Sequence, residues 1–140
     1  ASKDLSLDVE IDDAKQDYIT ICDAGLVRQA LTNLLQNAKD SLQEHHVAAP
    51  AIRISMTSED DMIAITLNDN GPGFPEMDLG KLLEPYVTTR QKGTGLGLAI
   101  VSKIMEDHGG NMQLGKADGG GALVCLKFPI HTTTRNGKII

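Results

Sequence analysis

The sequence has no tryptophan and only two tyrosines and two phenylalanines in 140 residues. It is therefore poor in the rings on which nucleic-acid bases stack. It has no excess of positive charge either: 13 Lys and Arg stand against 19 Asp and Glu, a formal net charge of −6. A polyanion wants basic grooves, so DNA and RNA are not expected partners. Long apolar runs are missing. The longest, Ala122 to Leu126, has five residues, against the roughly 20 of a bilayer span, and no charged-then-apolar signal segment opens the chain. Direct membrane contact by this domain is not expected. The two cysteines, Cys22 and Cys125, form neither a Cys-x-x-Cys pair nor a His-linked spacing. Metal and redox chemistry thus lack support, and buried reduced thiols in a cytoplasmic setting are the expectation. The chain opens on Ala1, as expected of a piece of a longer polypeptide, and that parent can still be membrane-bound.

What is present suffices for one soluble domain. Apolar residues make up 41% of the chain, and a domain of this size buries roughly 68–70% of its unfolded surface without staples. Charge is unevenly placed. Residues 1–23 carry seven acids against Lys3 and Lys15, whereas residues 86–98 carry Arg90 and Lys92 and no acid. A locally basic loop on an acidic protein points to a specific anionic ligand.

Residues 6–10 and 18–22 alternate polar and apolar side chains, as half-buried strands do, with the acidic stretch 12–17 as a turn. Asp23 reads as a helix N-cap. Leu26, Val27, Ala30, Leu31, Leu34, Leu35 and Ala38 then recur at three- and four-residue spacing, which predicts an amphipathic helix to about His46. Residues 51–57 and 62–68 alternate again around an acidic turn, a hairpin signature. From Phe74 to Leu96 the pattern is weak, with a short helix expected at 76–83, and a segment of this length in a compact domain is usually a functional loop or lid. A second amphipathic helix is expected at 98–108, stopped by Gly109-Gly110, followed by strands near 111–114 and 122–128. Residues 131–140 show no period and read as a flexible tail or linker after a domain over 1–130. This order predicts an α+β fold, a mostly antiparallel sheet with helices on one face.

Three groups of residues carry chemistry. Gln29, Asn33 and Asn37 stand four apart on the first helix, with Gln36 and Asp40 beside them, and form one polar stripe. A solvated face explains polar residues in general; it does not explain why the stripe avoids Lys and Glu in favour of Asn, a mediocre helix former. Ile63, Ile65, Leu67 and Asp69 share one face of a strand, which puts a carboxylate at the end of an apolar row, where donors must satisfy it. Asn70-Gly71-Pro72-Gly73 follows, a turn with so little side-chain bulk that a flat ligand could lie on its backbone and offer an amine to Asp69. Gly93-Thr94-Gly95-Leu96-Gly97-Leu98 leads into the second helix, whose exposed amides suit phosphate. It is neither a Gly-x-x-x-x-Gly-Lys-Ser/Thr loop nor Gly-x-Gly-x-x-Gly.

In combination and in order, QALTNLLQNAKDS (29–41), NDNGPGF (68–74), LLEPYVTTRQKGTGLGLAIVSKIMEDHGG (82–110) and GGGALVCLKFP (119–129) resemble the N box, F box and glycine boxes of the GHKL ATPase superfamily. The resemblance is to the catalytic ATP-binding domain of sensor histidine kinases, most of all the nitrogen-regulatory NtrY/NtrB type, and covers nearly all of residues 5–130. It implies the Bergerat α/β sandwich, a mixed sheet covered by helices, with residues 74–96 as an ATP lid. It further implies that Asp69 accepts the adenine amino group, with Gly71 and Gly73 shaping the pocket. Asn37 would offer its amide oxygen to Mg²⁺, and Asn33 would line the phosphate site. The loop Gly93, Thr94, Gly95, Leu96, Gly97 and Leu98 would hold the triphosphate, Tyr86 of the F box would line the cofactor site, and Arg90 or Lys92 would reach the terminal phosphates.

Hydrolases of the superfamily, such as heat-shock chaperones and mismatch-repair ATPases, carry Glu at the position of Asn33. The amide here has no base strength, which favours phosphotransfer to a histidine over a stand-alone ATPase. Ala122 stands where many relatives carry Thr or Ser. None of His45, His46, His108 and His131 lies in the acidic setting of an acceptor helix. The implied partners are a histidine-bearing dimerisation domain of the same kinase and, downstream, a response regulator; the parent would be a sensor, cytoplasmic in this part and anchored or not in an inner membrane.

Overall fold

The computed structural model describes residues 6–11, 23–59, 61–74 and 97–130. The expected strand at 18–22, the helix at 76–83, most of the lid and the tail lie outside them. The elements are β1 (Ser6–Ile11), α1 (Ala24–Glu44), β2 (Ala51–Glu59), β3 (Met62–Asp69), α2 (Gly97–Asp107), β4 (Asn111–Lys116) and β5 (Ala122–Pro129).

Helix α1 begins as its sequence dictates. Asp23 has extended backbone angles, φ −85° and ψ 108°, and its carboxylate accepts the Leu26 amide at 3.0 Å, satisfying one of the donors that a helix start leaves unpaired. The apolar stripe then turns Ala30, Leu34 and Leu42 inward. Helix α2 buries Val101, Ile104 and Met105 in the same way. It ends where Gly110 donates to the Met105 carbonyl and Gly109 to that of Glu106, the two bonds of a Schellman stop.

The strands form one sheet in the order β1-β2-β3-β5-β4. Among the described strands all pairings are antiparallel except β1 with β2, which is parallel, so the sheet is mixed. A parallel pair needs a crossover, and the connection carrying α1 supplies it. Among the described strands β5 is thus internal and β4 an edge, which explains why residues 122–126 are continuously apolar. Cross-strand register gathers Ile54, Ile65 and Leu67, Val124, Leu126 and Phe128, and Met112 and Leu114 onto one face. There they meet Ala30, Leu34, Val101, Ile104 and Met105 in a single core. The other face carries Ser55, Thr66, Cys125 and Gln113 in one cross-strand row. Cys125 is buried and unbridged, as expected, whereas Cys22 lies outside the described residues. No helix of the described residues is long and apolar enough to cross a membrane.

Candidate functional site

Asp69 is the last residue of β3 and lies on the helix-covered face, opposite Ile52. The apolar row therefore delivers a half-buried carboxylate to the sheet's end. Donors meet it there. Its Oδ1 accepts the Gly71 amide at 2.9 Å and the Ala122 amide at 3.1 Å. Both bonds fall on Oδ1, so Oδ2 is used by neither and can accept a donor from a ligand.

The turn that follows is packed without side chains. A Cβ on Gly71 would lie 3.2 Å from the Leu42 side chain, 3.3 Å from Asp69 Oδ1 and 3.9 Å from Ser41 Oγ. Gly73 has φ +85°, and a Cβ there would come within 2.6 Å of the Gly120 carbonyl oxygen, so the position excludes other residues twice over. Asn70, between Asp69 and Gly71 in sequence, points elsewhere. Its amide accepts from the Ala51 N–H at 2.8 Å and donates to the Ala49 carbonyl at 2.7 Å, tying the connection before β2 to the end of β3.

Asn33 and Asn37 lie half-buried on one stripe of α1. At Asn37 the stripe meets the start of α2: a Cβ on Gly97 would sit 2.9 Å from Asn37 Nδ2 and 3.1 Å from its Oδ1. The first helical amides of α2 have no partner within the helix and carry partial positive charge, and its first turn contains no acidic residue. One helical turn beyond Asn37, Ser41 and Leu42 border Gly71 beside Asp69. One turn of α1 thus joins the carboxylate to the α2 terminus. The fold brings together Asn37, Asp69, Gly71, Gly73 and Gly97, with Leu98 in the first turn of α2. Tyr86, Arg90, Lys92, Thr94, Gly95 and Leu96 lie outside the described residues.

His108 has a role that its sequence context did not signal. Its Nε2 accepts the Asp23 amide at 2.9 Å, and its Nδ1 lies 2.7 Å from the Ile104 carbonyl oxygen. The neutral tautomer protonated at Nδ1 satisfies both. The ring stands edge-on to Phe128 at 6.3 Å. His108 thereby holds the start of α1 to the end of α2. His45 Nδ1 similarly faces the Ser41 carbonyl at 2.8 Å.

Residues 22–132 match the family model described as histidine kinase-, DNA gyrase B-, and HSP90-like ATPase. The nitrogen regulation protein NtrY of Azorhizobium caulinodans is 48% identical over 112 residues, 74% of this chain and 14% of that protein. An NtrY-like sensor histidine kinase of Rickettsia bellii is 43% identical over 110 residues, 79% of this chain and 18% of the relative. This chain therefore spans less than a fifth of the length of either. Among solved structures, the catalytic domain of histidine kinase ThkA superposes with a TM-score of 0.73 at 30% identity, covering 89% of this chain and 80% of that one.

Proposed function

The chain belongs to the histidine kinase-, DNA gyrase B- and HSP90-like ATPase family, as a catalytic domain of the sensor histidine kinase type, and on that premise we propose that it binds Mg·ATP and donates the γ-phosphate to a histidine on a separate dimerisation domain. The observation that carries this reading is the span between two fixed groups. At one end Asp69 presents a carboxylate aimed by two main-chain amides; at the other the Asn37 amide lies against the first residue of α2.

In this reading Asp69 Oδ2 accepts the adenine amino group, and Gly71 and Gly73 let the ring approach the turn. The α2 amides from Gly97 and Leu98, with Thr94, Gly95 and Leu96 of the preceding loop, receive the phosphates. Arg90 and Lys92 neutralise the terminal phosphates, Tyr86 lines the site, and the lid spans about 74–96 of a domain over 1–130, with 131–140 as a tail. The Asn37 oxygen suits Mg²⁺, which keeps waters and takes few protein oxygens beside phosphates. When bound, Mg²⁺ neutralises the charge that builds on the β- and γ-phosphate oxygens. Asn33 lines the same stretch without basicity, so water is not activated and the nucleophile comes from the partner. The imidazole nitrogen of the acceptor forms the new bond to γ-phosphorus as the bond to the β,γ-bridging oxygen breaks, and ADP leaves. We place the exchange in the cytoplasm, as one module of a larger sensor with a response regulator downstream.

Incubation with γ-labelled ATP and a separately expressed acceptor-helix domain tests the proposal. Label is expected on that domain in an acid-labile, alkali-stable form, while the chain alone stays unlabelled. Stable labelling of the chain itself, or steady hydrolysis without a partner that Asn33→Ala abolishes, would overturn the kinase reading in favour of a stand-alone ATPase.

A further inference from the structure

The residue that aims Asp69 does not come from the glycine turn beside it alone. The connection between β4 and β5 passes directly over the end of β3. Within it, the Ala117 amide donates to the Gly121 carbonyl at 2.7 Å and the Gly120 amide to the Ala117 carbonyl at 2.9 Å, and Ala117 is buried, so the turn is fixed by its own backbone. Gly121 is packed so closely on β3 that a Cβ would overlap the Asp69 carbonyl oxygen and lie 3.2 Å from Asp69 Oδ1. The next residue, Ala122, gives its N–H to that same Oδ1 at 3.1 Å. Ala122 has no side-chain donor or acceptor, so its main chain is what it offers the carboxylate.

We infer that Gly121 and Ala122 are positioning residues for purine selection, acting through Asp69: the bare backbone at 121 admits the turn, and the amide at 122 fixes the carboxylate's rotation so that Oδ2 faces the ligand. The inference rests on the reading of Asp69 as acceptor of the adenine amino group. Rotation matters because a carboxylate turned about its terminal bond still carries its charge but no longer aligns a lone pair with a fixed donor. Loss of either residue's contribution should therefore cost discrimination at the amino group and spare the hold on the phosphates.

Calorimetric titration of the chain with ADP and with purine riboside 5′-diphosphate, which lacks the amino group, reads this directly. The wild type is expected to favour ADP by about 10- to 100-fold, as a hydrogen bond to a charged group implies. Gly121→Ala is expected to bring that ratio below about threefold, with affinity for the amino-free ligand held within about twofold. Gly119→Ala serves as the control for strain in the same turn: φ there is +93° but the space around a Cβ is open, so stability should fall and the ratio persist. A wild-type ratio in Gly121→Ala, or an equal loss for both ligands, overturns the positioning role. A ratio near one in the wild type instead overturns the Asp69 reading. Should Gly121→Ala fail to fold, NMR on the wild type decides: a scalar coupling across the hydrogen bond from the Ala122 amide nitrogen to the Asp69 carboxyl carbon supports the role, and its absence overturns it.

Discussion

At the end of β3 a side chain is held by main chain, since Asp69 takes amides from Gly71 and Ala122. At the start of α2 a side chain instead rests on main chain, since the Asn37 amide lies against Gly97. The first arrangement is built from strand ends and turns whose register is locked by the sheet. The second depends on the packing of two helices, α1 and α2, where Asn37 meets Gly97. The difference teaches where each end is vulnerable. The β3 end tolerates a change of side chain at 122 because it uses the backbone there, yet tolerates almost nothing at Asp69. The α2 end depends on the amide of one side chain and on the absence of another at 97.

Asp69→Asn should break the comparison most. Oδ1 can still accept both amides, but an NH₂ then replaces Oδ2 and meets the ligand's amino group donor to donor. ADP affinity in a calorimetric titration should fall by about 100-fold, and equal binding to wild type and variant would remove adenine from this end. Asn37→Ala attacks the other end. Its affinity for ATP should drop about tenfold in the presence of Mg²⁺ and change little in EDTA, because on the proposed reading Asn37 would supply one oxygen to a metal otherwise held by phosphate and water. Persistence of the full Mg²⁺ effect would take the metal away from Asn37.

His108→Gln lies outside both ends and should separate stability from binding. It loses the ring that spans Asp23 and Ile104, so denaturant unfolding should show a loss of about 1–2 kcal/mol, with ADP affinity within about twofold of wild type. A binding defect as large as that of Asn37→Ala would mean that the start of α1 feeds the site. The smallest effect belongs to Lys103, whose 3.2 Å pair with Asp107 is exposed on α2. Its hydrogen bond to Asp107, then the charges of Asp107 and Glu106, raise its pKa above the ordinary 10.5. A raised lysine stabilises the fold fully below 10.5 and loses that contribution as pH climbs through the higher folded value. Solvent screens so exposed a pair, and Lys103→Met should leave the melting temperature at neutral pH unchanged.

Much of this was legible along the chain because it is local. Asp23 as an N-cap, the stripe through Leu34 and Leu42, the hairpin between β2 and β3 and the Gly109-Gly110 stop each follow from spacing within one element. So does the placement of Asp69 at the end of an apolar row. What was not legible involves residues far apart. Nothing at Asn70 announced a clamp on Ala49 and Ala51, and nothing at His108 announced the Asp23 amide, 85 positions away. The parallel pairing of β1 with β2 was likewise invisible in two strands that alternate as any half-buried strand does.

Amino-acid order alone therefore determined which residues were available for chemistry: a stripe of amides, a carboxylate ending a strand, and glycines before a helix. Helix and strand periods act over a few residues, so neighbours in sequence suffice to set them. Tertiary structure alone decided that β5 lies beside β3, which carries the Ala122 amide and the bare backbone of Gly121 onto Asp69. The reason is physical. Main-chain donors are the same at every residue except proline, and only the register between strands 53 positions apart selects which of them meets the carboxylate.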